Sequence, residues 1–369
     1  MLAFETMLPS AGTGLAPAEG LARDADAWDA FVAASPTGSY LQTSAWARVK
    51  ARNGWRAERI VVADAAGPIG IQLLVRPLGP LPWSVGYGPR APITLGGASA
   101  DGVRELTARL RATARRARLT HVVVDPAIER GDPLETLLLE SGWRRTRSVQ
   151  PVDRTRLIDL LQGEAALWAD LRPKWRQYVN RARRAGVTVQ DAGVAGIDAF
   201  YEVYLETARR AGFVVRSRQA YADVVESFDR SGAARLLLAR EADGSPSATL
   251  IVLACGRRVV EPYGGMTAAG AASRANYLLK WEAIRSSAER GFAIYDLWGI
   301  AHGGIDQFKT GFGGREVRYI GGWEIVTDPA GRAVFGLAHR GRVTLARWRH
   351  GVAGRRDVPT TDEATADER

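Results

Sequence analysis

Cysteine and histidine, which build disulfides and many metal centres, are scarce in this sequence. The single cysteine, Cys255, excludes an internal disulfide and a cysteine-based metal site. The four histidines are scattered along the chain, so a histidine cluster of the kind that binds zinc is not predicted. We therefore expect neither a metal nor another cofactor.

Long apolar runs are also missing. No apolar stretch reaches the roughly 18 to 20 residues that a membrane-spanning helix requires. The first residues, MLAFETMLPSAGTG, lack the basic and apolar regions of a signal peptide, so we predict a cytoplasmic protein. The composition of residues 1–19 and 354–369 predicts disorder at both ends.

Acidic residues are outnumbered by basic ones. The 369 residues carry 50 Lys and Arg against 40 Asp and Glu, which gives a formal net charge of +10 at pH 7. Such a charge attracts polyanions, so it favours nucleic acid, nucleotide-sugar phosphates or an anionic membrane surface as partners. The length and a hydrophobic share of 46% predict two domains with cores of their own.

Acids are absent altogether from LRPKWRQYVNRARRAG, residues 171–186. Trp175, Tyr178, Val179 and Ala182 recur at helical spacing, which predicts a helix with one core-facing side, and Pro173 suits its first turn. The other side forms either a solvated face or a phosphate-binding site. Its basic residues are Arg172, Lys174, Arg176, Arg181, Arg183 and Arg184.

One order of elements occurs twice along the chain. In each half, a β-hairpin is followed by an amphipathic helix and then by a strand that ends in an acid, Asp125 or Asp296. The predicted segments are Arg59–Ala63, Ile69–Val75, Asp101–Arg118 and His121–Val124, then Arg235–Ala239, Ala248–Ala254, Ser273–Arg290 and Phe292–Leu297. Such a repeat indicates two copies of one α/β unit, in the order found in acyl-CoA N-acetyltransferases.

We therefore predict an α/β protein with tandem acetyltransferase-like (GNAT-like) domains and a ligand cleft between them. The first domain is expected over residues 20–158, completed by 318–350, and the second over 159–317. Within the first, Leu41–Lys50 predicts a short helix with Thr43 or Ser44 as its cap and Lys50 on the polar side. The Pro- and Gly-rich segment Pro77–Pro92 predicts an irregular loop or an edge strand.

The stretch YDLWGIAHGGIDQFKTGFGG, residues 295–314, carries the features most typical of a reactive site. A strand runs into Asp296 and then into a glycine-rich loop, where Gly299 is expected to lie against the substrate, because glycines let a backbone approach a ligand closely. Lys309 follows before a second glycine turn. It is either a solvated surface lysine or a cation placed for catalysis, and Asp296 is expected to hold the loop through hydrogen bonds.

The order of these motifs resembles the FemABX family of non-ribosomal peptidyl transferases. The resemblance covers about Trp28 to Pro329 and rests on SPTGSYLQTSAWARVK, YGPRAPI, VVDPAIE, SGWRR, KWRQYVNRARRAGV, TARRAGFVVRS, YGGMT, YDLWGI and FKTGFGG. It implies two GNAT-like domains and the transfer of an aminoacyl group from aminoacyl-tRNA to a peptidoglycan precursor. Since a long helical arm is not predicted, the chain is similar to the short members, which use UDP-MurNAc-pentapeptide or lipid II.

The resemblance also implies roles in substrate binding. Lys50 and Arg216 are expected to contact the diphosphate of the precursor, and Tyr263 to line the precursor site. Tyr221 is the candidate for a second tyrosine there, although this chain has Ala220 at the expected position. Contact with tRNA or phosphate is expected from the basic helix, through Arg176, Arg181, Arg183 and Arg184.

For the reaction, the resemblance implies that Lys309 stabilises the negative charge on the attacked ester carbonyl and that Asp125 orients or deprotonates the incoming amine. An aminoacyl ester is already activated, so positioning and a fixed cation suffice to accelerate its transfer. Asp125 is alternatively a turn-forming residue before Pro126. Gly, Ala and Ser are the candidate amino acids, and we expect a monomer that contacts the inner membrane surface peripherally.

Two other classes of function stay open. An acyl-CoA N-acyltransferase would share the fold, but GMTAAGAASRANY lacks the Gln/Arg-x-x-Gly-x-Gly/Ala loop that binds the pyrophosphate of coenzyme A. A non-catalytic RNA-binding protein would explain the positive charge but neither the repeated unit nor the glycine loop around Lys309. The aminoacyltransferase and the RNA-binding protein both predict salt-dependent binding of tRNA, so only turnover separates these two functions.

Overall fold

Two seven-stranded β-sheets organise the chain, and each belongs to a separate compact unit. The computed structural model describes residues 18–150, 153–299 and 304–338. Outside these residues lie His302, Gly303, residues 339–350 of the predicted first domain, residues 354–369, and residues 1–17 of the predicted disorder at 1–19. Ala18 and Glu19 begin a helix, so the prediction of disorder is wrong for these two residues. None of the helices in the described ranges is long and apolar enough to cross a bilayer.

The first unit contains the described residues up to 150 and those from 319 to 338. Its sheet has the order β1-β2-β3-β5-β14-β6, with β4 paired to β2, and only the pairing of β3 with β5 is parallel. The helices are α1 Ala18–Arg23, α2 Ala25–Ala34, α3 Ser44–Ala51, α4 Ala100–Ala117, α5 Leu134–Glu140 and α13, residues 329–338. The strands are β1 Arg56–Val62, β2 Ile69–Pro77, β3 Ser84–Gly88, β4 Ile93–Thr94, β5 Leu119–Val124, β6 Arg144–Thr146 and β14 Gly322–Val326.

The prediction for Pro77–Pro92 is wrong, because β3 in this segment is an inner strand. It pairs with β2 on one side and with β5 on the other. A Cβ at Gly88 would overlap the side chain of Ile71, and one at Gly86 would lie 3.0 Å from Leu119. The glycines that suggested a loop are therefore required by close packing within the sheet.

The buried imidazole of His121 on β5 gives the first unit a pH-dependent stability. Burial lowers its pKa to about 4, and the charges of Arg332 and Arg144 act in the same direction, against that of Glu324. The unfolded chain, with an ordinary histidine pKa of about 6.5, then binds more protons than the folded chain between pH 4 and 6.5. Stability is lost as the pH falls through this window.

We expect His121→Gln to remove about 2 kcal/mol of the stability difference between pH 7.5 and pH 5. Urea unfolding of the two proteins at both pH values measures that difference directly. An identical loss in the native protein and in the variant would show that other groups cause it.

The second unit contains residues 153–318, and its sheet has the order β13-β7-β12-β11-β10-β9-β8. Only the pairing of β11 with β12 is parallel. The helices are α6 Glu164–Asp170, α7 Pro173–Arg184, α8 Ile197–Ala211, α9 Arg218–Asp229, α10 Ala268–Ser273, α11 Ala275–Glu289 and α12 Gly304–Thr310. The strands are β7 Arg154–Asp159, β8 Thr188–Asp191, β9 Ala234–Arg240, β10 Pro246–Cys255, β11 Arg258–Met266, β12 Ile294–Asp296 and β13 Arg315–Arg318.

The repeated order predicted from the sequence is confirmed. A hairpin, a third strand, a helix and a strand parallel to the third occur in this order in both units. They are β1, β2, β3, α4 and β5 in the first unit, where β4 precedes α4, and β9, β10, β11, α11 and β12 in the second, where α10 precedes α11. The single helix predicted over Ser273–Arg290 is wrong at its start. Arg274 has a φ of 70° and separates α10 from α11.

Candidate active site

Lys309 lies in the last turn of α12, and its ammonium group holds the loop that follows β12. The Nζ atom donates hydrogen bonds to the carbonyl oxygens of Leu297 at 2.6 Å, Gly299 at 2.7 Å and Trp298. Trp298 and Gly299 take φ angles of 46° and 57°, which turn the successive carbonyls towards one point. The three bonds match the three donors of an ammonium group, so the structure brings Lys309 and Gly299 together.

Asp296 fixes the beginning of the same loop. Its Oδ1 atom accepts a hydrogen bond from the backbone N–H of Trp298 at 2.9 Å and another from the hydroxyl of Thr155. The carboxylate is buried at the end of β12, where Arg258 lies 3.9 Å from its other oxygen. Asp296 thus holds the loop through hydrogen bonds, as the sequence predicted.

A buried ion pair lies on β11 and α11 next to this lysine. Glu261 and Lys280 are 4% and 6% exposed, form a salt bridge, and share the site with Tyr295, whose hydroxyl donates to Glu261 Oε2 at 2.8 Å. The ammonium of Lys280 also faces the ring of Phe308 at 5.7 Å. The pair was not predicted from the sequence, although a glutamate in a strand and a lysine within the apolar run YLLKWEAI are signals that indicate it.

The burial of Lys309 makes it titratable near neutral pH. Burial lowers the pKa of Lys309 to about 8; the charge of Lys280 lowers it too, whereas Glu261 and Asp296 raise it. Three carbonyl oxygens bind the protonated form. The lysine is therefore mostly charged at pH 7 and loses that charge a little above it.

The basic helix α7 packs against α12 and the turn that follows it. The indole N–H of Trp175 donates to the carbonyl of Phe308 at 3.0 Å, and the backbone N–H of Arg172 donates to that of Gly311 at 3.0 Å. A Cβ at Gly311 would overlap the Trp175 ring, so this close packing requires glycine. The motifs KWRQY and FKTG therefore meet, and their contact positions Lys309.

The predicted phosphate-contacting arginines of α7 fall into two groups. Arg176 donates to the carbonyls of Trp168, Ala169 and Leu171 at the end of α6, and Arg183 pairs with Glu282 at 3.0 Å. Both of these side chains stabilise the fold. Arg183 is nevertheless exposed, as are Arg181 and Arg184, so all three remain in reach of solvent.

A tyrosine cluster brings together three of the predicted substrate-binding residues. The hydroxyl of Tyr221 accepts a hydrogen bond from the backbone N–H of Arg216 at 3.2 Å, and its ring lies 5.2 Å from that of Tyr263. Tyr204 packs against Tyr221 at 5.4 Å. Burial raises the pKa of Tyr221 above its ordinary value, so its phenol stays neutral. Tyr221, rather than Ala220, is the residue that contacts Arg216 and Tyr263.

A bulge in β11 separates Tyr263 from Glu261. Opposite it the pairing with β10 shifts between Ile251 and Leu253, and Pro262 occupies the bulge. Proline is tolerated there because it has no N–H to contribute to the ladder, and such bulges redirect side chains near active sites. The strand thereby supplies both the ion pair beside Lys309 and the tyrosine cluster.

Lys50, in the first unit, is not on the polar side of α3 as predicted. It is 3% exposed, and its Nζ lies 5.3 Å from the ring centre of Trp46 and 5.8 Å from that of Trp55. The two aromatic faces compensate the ammonium for part of its lost hydration. The spacing of residues within α3 could not predict that Trp55, which lies outside this helix, would cover Lys50.

Asp125, at the end of β5, is 1% exposed and joins three segments of the first unit. Its oxygens accept hydrogen bonds from the Tyr87 hydroxyl, the Arg90 N–H and the Gln150 N–H, each at 2.9 Å. Burial raises the pKa of its carboxyl, while the Arg90 charge and these hydrogen bonds act in the opposite direction. The contacts are those of a turn-forming residue, and a role as base stays a prediction.

The described residues contain no group of three or more Asp, Glu, His or Cys side chains arranged to hold a metal ion.

Residues 24–132 match the family model described as FemAB family, and residues 169–310 match the acetyltransferase (GNAT) domain. A lipid II:glycine glycyltransferase of Staphylococcus haemolyticus is 24% identical over 223 residues, which are 58% of this chain and 53% of that enzyme. The match thus spans about half the length of the glycyltransferase.

Among solved structures, FemX has a TM-score of 0.76 at 18% identity, with 85% of this chain and 98% of FemX covered. A tandem GNAT protein from the clavulanic acid biosynthesis pathway has a TM-score of 0.50 at 13% identity, with 74% of this chain and 84% of that one covered. These likenesses confirm the tandem GNAT-like fold. Together with the FemAB match and the glycyltransferase relatives, they show that the chain is similar to proteins of the FemABX family.

Proposed function

We propose that this protein is an aminoacyltransferase that moves Gly, Ala or Ser from aminoacyl-tRNA to an amine of a peptidoglycan precursor's stem peptide. The observation that carries the proposal is Lys309, a titratable cation held against a strained loop by three backbone carbonyls. The names of the relatives support it, since they are glycyltransferases that act on lipid II.

In the proposed reaction the amine of the acceptor attacks the carbonyl carbon of the aminoacyl ester. A C–N bond forms, the ester C–O bond breaks, the ribose hydroxyl of tRNA leaves, and the amine loses one proton. Lys309 exchanges one of its carbonyl partners for the oxyanion of the tetrahedral intermediate. A preorganised cation out of bulk water supplies a large share of such catalysis.

The substrate contacts in this proposal come from two groups of residues in the second unit. The guanidinium of Arg216, with Tyr221 and Tyr263 beside it, binds the precursor, and the exposed Arg181 and Arg184 contact the phosphates of tRNA. Lys50 of the first unit binds the precursor diphosphate in the same proposal. Gly299 lies against the reacting ester because it is part of the carbonyl cluster around Lys309.

The role of Asp125 can be tested by replacing its carboxylate with an amide. Asp125→Asn keeps the shape of the side chain but replaces one acceptor oxygen by an NH2 group. That group would face a hydrogen-bond donor of the protein, so we expect the unfolding free energy to fall by about 1 to 3 kcal/mol. We expect kcat/KM of the folded variant to change less than about tenfold, because a buried carboxylate that accepts three hydrogen bonds has a structural role rather than that of a base. Thermal melts and initial rates give the two values. A fall of kcat by about 100-fold or more, with normal stability, would restore the general-base reading.

The function is tested by pairing each charged tRNA with each acceptor. Radiolabelled Gly, Ala or Ser on tRNA is incubated with UDP-MurNAc-pentapeptide or with lipid II, and the precursor is analysed for label. Label in one acceptor names the donor and the acceptor together. Consumption of acetyl-CoA in parallel incubations, with no label transferred from any tRNA, would instead assign the acyl-CoA-dependent function.

A further inference from the structure

A chain of aromatic rings in the second unit leads from the surface of α7 to Lys309. Tyr178 is half-buried on α7, and its ring packs against that of Tyr277 at 4.8 Å. Tyr277 packs in turn against Phe308 at 5.1 Å, and Phe308 precedes Lys309 in α12. Both Tyr277 and Phe308 also pack against the core of this unit. Tyr178 therefore forms the outer end of the chain.

The guanidinium of Arg274 covers the ring of Tyr178. Its Cζ atom lies 4.6 Å from the ring centre, and its Nη1 atom donates to the carbonyl of Ala271 at 3.1 Å. The Nε atom is buried and has no hydrogen-bond partner among the described residues. The φ angle of 70° at Arg274 is strained for a residue with a side chain. Such strain is concentrated at functional sites, and here it places a cation on an aromatic face.

Further positive charge continues along α7 beyond Tyr178. Arg181 follows one turn later on the same side of the helix, Arg184 follows after another turn, and both are exposed. Proteins hold unpaired nucleotides by stacking the bases on aromatic rings or guanidinium planes and by pairing the phosphates with cations. The layer of Tyr178 and Arg274, continued by two exposed arginines, has both parts of such a site.

We propose that the layer of Tyr178 and Arg274 stacks the base of the terminal nucleotide at the unpaired 3′ end of aminoacyl-tRNA. The inference rests on the proposed function, because the reacting ester of aminoacyl-tRNA is carried by the ribose of that nucleotide. A base held at the outer end of the ring chain leaves its ribose on the side of Phe308 and Lys309. The uracil of a UDP-linked precursor is the other base available, but cations that continue along α7 suit a strand with several phosphates.

The test compares two uncharged RNA hairpins by fluorescence anisotropy. One has the acceptor stem with its complete unpaired 3′ end, the other lacks only the terminal nucleotide, and both carry a fluorophore at the 5′ end. We expect the native full chain to bind the complete hairpin about tenfold more tightly than the shortened one. Tyr178→Ala should weaken binding of the complete hairpin about tenfold and leave the shortened hairpin unchanged, which also shows that the variant is folded. Tyr178→Phe keeps the ring and should keep the preference.

Arg274→Gln tests the second half of the layer. Loss of any positive charge weakens the binding of both hairpins, so the ratio of the two affinities is compared. We expect Arg274→Gln to lower this ratio at least about twofold. Arg230→Gln is the matched control, because Arg230 is an exposed arginine at the end of α9 in the same unit, and it should leave the ratio unchanged.

Equal affinity of the native protein for the two hairpins would overturn the proposal, and so would an equal loss for both hairpins in Tyr178→Ala. Weaker binding of UDP-MurNAc-pentapeptide by Tyr178→Ala, with both hairpins unaffected, would assign the layer to the uracil instead. These measurements involve no transfer. A protein that prefers the complete hairpin but moves no label in the transfer assay would therefore refute the proposed function and leave the base-stacking site standing.

Discussion

Lys309→Met is expected to lower kcat/KM for aminoacyl transfer by about 100- to 1,000-fold, the usual effect of removing one preorganised oxyanion partner. Methionine has about the same length but no charge, and it leaves the carbonyls of Leu297, Trp298 and Gly299 without their cation. Initial rates with a charged tRNA and its acceptor measure the loss. Lys174→Met is the control, because Lys174 is an exposed lysine of α7 and should retain full activity.

The same lysine predicts the alkaline side of the pH profile. With a pKa of about 8, Lys309 is charged below pH 8 and loses its charge above it, so activity should fall as the pH rises through 8. Lys309→Arg keeps the charge at all of these pH values and should remove the fall, whatever its effect on the rate. An unchanged descending limb in Lys309→Arg would assign that limb to another group, and full activity in Lys309→Met would exclude the lysine from the reaction.

Lys280→Met is expected to destabilise the protein by about 3 to 5 kcal/mol, because it leaves the carboxylate of Glu261 buried without its cation. The two side chains are 6% and 4% exposed, so water cannot replace the lost partner. Lys280→Met combined with Glu261→Gln removes both charges and should recover most of the loss. Urea unfolding of the three variants measures each step. Arg109→Ala, which breaks an exposed pair with Glu105, is the control and should cost at most about 1 kcal/mol.

These substitutions also test whether the buried pair sets the charge of Lys309. Lys280 lowers the pKa of Lys309 and Glu261 raises it. The descending limb of the pH profile should therefore move upwards in Lys280→Met and downwards in Glu261→Gln. A pair that serves stability alone would leave the limb at the same pH in both variants.

Lysine is used sparingly in this chain, and its placement is informative. Only Lys50, Lys174, Lys280 and Lys309 occur among 50 basic residues. Lys50 and Lys280 are buried, and Lys309 is enclosed by carbonyls, whereas Lys174 is exposed. A lysine can change its pKa when buried and an arginine cannot. In a chain that otherwise prefers arginine, buried lysines indicate positions where an adjustable or compact charge is needed.

The sequence predicted what depends on periodicity and on local chemistry. The hairpins, the helix α4, the core side of α7 and the hydrogen-bonding role of Asp296 all follow from the spacing of apolar residues or from a carboxylate beside a turn. The tandem repeat followed because the same order of elements occurs twice. These features require no knowledge of which distant segments meet.

What the sequence did not reveal depends on contacts between distant segments. The strand β3 resembles a loop in the sequence because side chains of neighbouring strands, such as Ile71 and Leu119, are what make its glycines necessary. The spacing of its helix predicted a polar position for Lys50, but Trp55 covers this lysine from outside that helix. Glu261 and Lys280 are 19 residues apart, and although the apolar neighbours of each suggest burial, their pairing follows only from the packing of β11 against α11.

The central claim is that Lys309 promotes transfer of an aminoacyl group from tRNA, and a single-turnover assay tests it most directly. Enzyme in excess is mixed with tRNA carrying labelled Gly, Ala or Ser and with UDP-MurNAc-pentapeptide or lipid II, for the native protein and for Lys309→Met. The account predicts label in the precursor within one turnover of the native enzyme, and a transfer rate in the variant that is at least about 100-fold lower. Label that never leaves tRNA with any acceptor, or that leaves it equally fast in Lys309→Met, would contradict the account.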